Sequence, residues 1–112
     1  MKNLAILICL ILCSCGKEDR VGEPYRGWQE GEMDIHHIYT GNGEANFFIL
    51  PDATTMLIDA GDYDPDFKDF PYMNKPMPNK SRRPGEWIAR YIQRVNPNKQ
   101  QVDYLMHSHL HD

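Results

Sequence analysis

The sequence predicts an α/β fold in which short strands pack under one helix, and three observations carry that expectation. Between residues 33 and 59, apolar or alternating runs are separated by clusters of Gly, Asn, Pro and Asp, the pattern of strands joined by tight turns. Residues 84–95 place apolar side chains at helical spacing. Residues 102–106 form another short apolar run reached from that helix, so the strand it makes can lie parallel to an earlier one.

Taken in order, residues 33–39 (Met-Asp-Ile-His-His-Ile-Tyr) mostly alternate, which suits a first strand. Gly41-Asn42-Gly43 marks a turn, because Gly and Asn accept positive φ at little cost. Residues 45–50, with Phe47 and Phe48, are near-continuously apolar, as expected of a buried strand. Pro51-Asp52-Ala53 turns the chain into a third strand at 54–59, and so short a connection implies an antiparallel hairpin. Residues 61–83 are dominated by Asp, Pro, Asn and Lys without periodicity and read as a long loop. Pro84 suits the first turn of a helix. Trp87, Ile88, Tyr91, Ile92 and Val95 form its apolar stripe, with Trp87 and Tyr91 expected in the core, and Asn96-Pro97 ends it.

A chain of 112 residues is at most one domain, and the domain expected here is incomplete. The formal net charge of −4 and the scattered basic residues give no nucleic-acid footprint. They also disfavour a polyanionic substrate, unless a bound metal reverses the local field.

The first residues read as a secretory signal. Lys2 supplies the positive start, and residues 4–12 form an apolar core too short to span a bilayer as a helix. Leu12-Cys13-Ser14-Cys15 resembles a bacterial lipobox in which Cys15 is lipidated and becomes the new N-terminus. Cys13 stands where Ala, Ser or Thr is more usual, and Leu12 is too large to precede an acceptor at Cys13. Lys17-Glu18-Asp19 resembles the short charged tag of bacterial surface lipoproteins. The chain then divides into a lipoprotein signal at 1–15, a tether at 16–31 with Tyr25 and Trp28 touching the domain, and a partial domain at 32–112. A plain secretory signal with a free thiol is the alternative. On the lipoprotein reading the chain crosses the inner membrane and is held by its lipid at the outer membrane or cell surface. Cys9 and Cys13 leave with the signal and Cys15 is acylated, so a metal site must use nitrogen and oxygen donors.

Such donors gather at His107-Ser108-His109-Leu110-His111-Asp112. Imidazole and carboxylate are first-choice ligands for zinc. Residues of equal parity on an extended segment face one side, so two of these imidazoles can converge on one ion. Leu57-Ile58-Asp59-Ala60-Gly61, then a helix, then this His-rich strand end resembles the N-terminal part of the metallo-β-lactamase superfamily, whose pattern is a strand closing on Ser or Thr followed by His-x-His-x-Asp-His. Gly41-Asn42-Gly43-Glu44-Ala45 ahead of an apolar strand resembles the branch related to the hydrolase-like domain of bacterial DNA-uptake channel proteins. The resemblance covers residues 33–112.

Two registers fit. With His107 as the first ligand, His111 and Asp112 fall where Asp and His are expected, in reverse order. With His109 first, Ser108 precedes it as the family prefers, His111 is the second ligand, and His107 is a strand-end residue. The second register breaks no motif position that is present. The resemblance then implies the N-terminal half of an αβ/βα sandwich with zinc, one ion or two, at one sheet edge. His109 and His111 would be metal ligands, Asp59 would orient the metal loop by hydrogen bonding, and the activity would be hydrolysis. The substrate, a small molecule or a phosphoester, is open: nothing in the chain favours β-lactams, and the branch resemblance leans only slightly toward phosphoester or nucleic-acid chemistry. Two imidazoles fall short of the three protein ligands usual for catalytic zinc, so the remaining ligands are expected beyond Asp112, and residues 1–112 alone are not expected to be active.

Other patterns weigh less. His36 and His37 read as ordinary strand residues. Asp62-Tyr63-Asp64-Pro65-Asp66 begins like a calcium loop but lacks Gly at the sixth position and Glu at the twelfth. The rival to the hydrolase is a non-catalytic surface lipoprotein, a binding module or a truncated product.

Overall fold

A computed structural model describes residues 21–41, 43–61, 74–75, 77–99 and 101–109. They form a mixed α/β fold: strands β1 (Asp34–His37), β2 (Asn46–Ile49), β3 (Thr55–Ile58) and β4 (Tyr104–Met106) lie side by side in that order, with helix α1 (Pro84–Val95) between β3 and β4 in sequence. The pairs β1–β2 and β2–β3 are antiparallel, and β3–β4 is parallel through the helical crossover. Both the hairpin and the parallel strand agree with the sequence pattern. The hairpin turn is closed by Leu50 N–H donating to Thr54 O at 2.8 Å and Ala53 N–H donating to Leu50 O at 2.9 Å, with Ala53 at φ 69°. Asp52 adds an Asx contact, its Oδ1 accepting from Thr54 N–H at 3.0 Å.

The ladder is shorter than the apolar runs suggest. β4 begins at Tyr104 rather than at Val102, because Asp103 N–H donates to the Thr55 hydroxyl (3.1 Å) instead of to a strand carbonyl. Helix α1 starts as expected, with Pro84 at its first turn and the Glu86 carboxylate reaching back to accept from Arg83 N–H at 2.9 Å. It stops at Asn96, which is extended ahead of Pro97. Buried Asn96 then organises the exit: its Oδ1 accepts from Asn98 N–H and its Nδ2 donates to Gln101 O, both at 2.8 Å.

One face of the sheet carries the core. Phe47, Ile49 and Leu57 pack with Ile88, Ile92 and Val95 of the helix, joined by Ala45, and Trp28, Ile38 and Val102 close against them. The helical stripe is therefore narrower than its spacing suggests. Trp87 is only half-buried and Tyr91 is exposed, so both line the rim and not the core. Each points its polar end to a partner: Trp87 Nε1 donates to Asn79 O at 3.2 Å, and the Tyr91 hydroxyl meets His36 Nδ1 at 3.0 Å. The opposite sheet face, formed by Ile35, Phe48, Met56, Ile58, Tyr104 and Met106, is half-buried or exposed. The run at 45–50 is thus buried on one side among the described residues.

Two glycine-bearing turns meet at the end of β3. Gly61 N–H donates to Glu44 O at 2.8 Å, and a Cβ on Gly61 would lie 2.7 Å from the Gly43 Cα, the Gly43 carbonyl carbon and the Glu44 nitrogen. Gly43 itself has φ 70°. Backbone cannot yield as a flexible side chain can, so Gly61→Ala is expected to cost about 1–3 kcal/mol by overpacking. Thermal denaturation would show it as a lowered midpoint, and an unchanged midpoint would contradict this crossing.

Candidate metal centre

The parallel β3–β4 pair aims its carboxyl ends at one edge of the sheet, and the residues singled out from sequence lie there. Asp59 follows β3 with φ 58°, a left-handed conformation that Asp tolerates better than most residues. Its N–H donates to Met106 O at 2.9 Å, and its Oδ1 accepts from Ser108 N–H at 2.8 Å. The Ser108 hydroxyl in turn sits 2.8 Å from His109 Nδ1. A continuous chain of contacts therefore runs from the strand end through Asp59 and Ser108 to the His109 ring. Hydrogen bonds from the Ser108 hydroxyl and amide, with smaller contributions from His109 and His107, hold the Asp59 carboxyl below its usual value.

The other end of the same pair is fixed by a second carboxylate. Asp103 Oδ2 accepts from both Thr55 N–H and Thr55 Oγ1, each at 2.8 Å, while the Thr55 oxygen accepts from Asp103 N–H. The Thr55 contacts, side chain first, hold Asp103 below the usual carboxylate value. This clamp was not apparent in the sequence, since a Thr and an Asp 48 positions apart carry no local signal.

The structure brings Asp59, Ser108 and His109 together and leaves His107 exposed beside them. His111 and Cys15 lie outside the described residues, as does the Asp62–Asp66 segment. Among the described residues no group of three or more His, Cys, Asp or Glu is close enough to hold a metal ion. The donor types at this edge fit zinc in kind, an imidazole positioned through a serine and a carboxylate one residue further back. They are too few by themselves to enclose it. His37 is an exposed strand residue whose Nδ1 meets Asn46 Oδ1 at 2.6 Å, whereas His36 is largely enclosed, which the alternating pattern of β1 did not distinguish.

An open cleft of about 360 Å³ lies beside α1, bordered by Leu57, Ala60, Ala89, Ile92, Gln101 and Val102. Strand β4 is exposed along its length. No helix among the described residues is long and apolar enough to cross a membrane. No protein-family model, curated protein or solved structure matches the chain.

Asp59 and Asp103 both have carboxyls lowered from 3.8 in the folded protein. Their contribution to stability is then complete above that value and is lost as pH falls through the lower folded values. Denaturant unfolding followed from neutral pH to about pH 3 should show stability declining over that acid limb. The slope should flatten in Asp59→Asn and Asp103→Asn; an acid limb identical in the variants would assign the decline elsewhere.

Proposed function

We propose that this chain belongs to a metal-dependent hydrolase of metallo-β-lactamase type, with His109 and His111 as zinc ligands and Asp59 positioning the loop that carries them. The observation that supports this reading is the contact chain Asp59–Ser108–His109 at the carboxyl end of a parallel strand pair. That is where a sheet-edge metal site needs its first imidazole, and the hydrogen bond from Ser108 N–H to Asp59 fixes the loop without using the ring itself. The half-exposed second sheet face and the uncovered β4 are also what one half of a two-sheet sandwich would present.

Zinc held by His109 and His111 would acidify a bound water toward neutral pH and polarise the scissile bond. The chain's own residues do the positioning. Asp59 holds the Ser108 amide, Ser108 holds one nitrogen of His109, and the parallel ladder holds both against drift. The reaction class is hydrolysis, and the branch resemblance favours a phosphoester substrate. Catalytic zinc usually takes three protein ligands, so a complete site needs donors besides these two imidazoles.

Zinc content and chelator competition on the protein in its full natural length provide the test. Wild type is expected to bind zinc, with His109→Ala and His111→Ala each losing most of that affinity and Asp59→Asn weakening it by roughly 10–100-fold. Absence of zinc binding in wild type, or unchanged affinity in both histidine variants, would remove the metal centre.

The same proposal places the protein at a membrane through lipid on Cys15. Metabolic labelling with a fatty-acid analogue in a bacterial host should mark the wild-type protein and leave Cys15→Ala unlabelled and unprocessed. Equal labelling of both would sink the lipobox assignment.

A further inference from the structure

Residues 21–31, expected as a tether, are fastened to the domain at several points. Gly31 N–H donates to Pro51 O at 2.9 Å, and the Trp28 indole donates to Glu32 O at 2.7 Å while its ring packs on the core. Arg26 pairs with Glu32 at 2.6 Å. Tyr25 is a further attachment. Its hydroxyl donates to Asp34 Oδ2, and its ring meets the His36 ring edge-on with centroids 5.2 Å apart.

His36 is the hub of this cluster. Its side chain is only 9 % exposed, its Nδ1 meets the Tyr91 hydroxyl, and its ring also touches Tyr91 and Phe47. Among the described residues Nε2 is buried with no hydrogen-bond partner, 3.9 Å from the same Asp34 Oδ2 that receives Tyr25. The groups facing His36 are therefore Asp34 from β1, Tyr25 from the amino-terminal segment, Tyr91 from α1 with Arg94 in its field, and the uncharged Phe47 from β2.

We propose that Asp34, His36 and Tyr91 form an acid-sensitive latch that holds residues 21–31 against the sheet, and that protonation of His36 releases the segment. The doubly protonated ring carries an N–H on both nitrogens, and the one at Nε2 is buried with Asp34 Oδ2 3.9 Å away, beyond hydrogen-bond reach. Relieving it requires Asp34 to turn toward the ring or the ring to leave its pocket. The first movement takes Oδ2 from the Tyr25 hydroxyl, and the second breaks the edge contact with the Tyr25 ring. Burial pushes the His36 pKa below its ordinary 6.5, and the Asp34 charge opposes this only in part. A group lowered on folding contributes fully above its unfolded value, so the latch is closed at neutral pH and opens as pH falls below 6.5 through the lower folded value. The latch involves β1, β2, α1 and the amino-terminal segment alone and does not depend on the metal centre. Where Cys15 carries lipid, opening adds residues 21–31 to the tether.

The two tryptophans make the test internal to one protein. Trp28 reports the segment, and Trp87 reports the helix. In the purified full chain, the Trp28 indole N–H resonance should shift toward its solvent-exposed position between about pH 7.5 and pH 5, while Trp87 stays in place. His36→Phe keeps the ring packing without titrating and should hold Trp28 docked across that range; His36→Gln serves if the phenylalanine variant does not fold. Tyr25→Phe should displace the Trp28 resonance already at neutral pH. A Trp28 signal unmoved by acid in wild type, the same acid shift in the non-titrating variant, or Trp28 and Trp87 shifting together would each overturn the latch.

Discussion

The whole arrangement depends on the parallel pairing of β3 with β4. Antiparallel neighbours are held by the short turns that join them, but β4 returns to the sheet only after a helix and a long connection, and it contributes three residues to the ladder. So short a strand is weakly held by backbone bonds alone. Asp103 and Asp59 make up the deficit, one at each end. The first ties the entry of β4 to buried Thr55, the second ties its exit to the end of β3. Register follows from both together, because a slip of one residue would break both clamps and turn Leu105 to the opposite face.

Burial among the described residues is one-sided. The helix covers Phe47, Ile49 and Leu57, and its buried residues Pro84, Ile88, Ile92 and Val95 lie along the centre of one stripe. Across the sheet, Ile35, Tyr104 and Met106 remain 49 %, 63 % and 48 % exposed. Scattered apolar side chains on a surface are ordinary, but these three share a face with Phe48, Met56 and Ile58. The two faces therefore differ in what they offer. One carries the core beneath α1, with Leu105 exposed at its margin, and the other is an apolar surface continuous with the strand end that carries His109.

The elements themselves were legible because each rests on local chemistry. Pro84 and Asn96-Pro97 bound the helix, Pro51-Asp52-Ala53 makes the hairpin, and alternation gives the strands. Contacts between distant residues were not legible. Helical spacing cannot tell the middle of an apolar stripe from its margin, so Trp87 and Tyr91 were expected inside although they lie at the rim, one donating to Asn79 and the other meeting His36. Alternation put His36 on a strand but could not show that Tyr25 and Tyr91 close over it. Gly43 and Gly61 each read as a turn or motif residue. Only their mutual approach explains why neither position has room for a methyl group. At the candidate metal edge, Asp59 and His109 were marked by a motif, yet the Ser108 amide and hydroxyl that connect them are visible only in the fold.

Asp59 performs two tasks there that can be separated on physical grounds. Its left-handed backbone reverses the chain at the end of β3, and asparagine would tolerate that conformation equally well. An amide oxygen could also accept the Ser108 N–H. What an amide cannot supply is negative charge, and the lowered pKa of Asp59 shows that the charged form is the one its surroundings favour. Ser108 donates to it, and His107 and His109 stand close enough to interact with it. Were shape its whole purpose, the carboxylate would be an arbitrary choice among residues that accept positive φ. The charge is the informative part: it strengthens the hydrogen bonds that Ser108 donates and so fastens the exit of β4 to the end of β3.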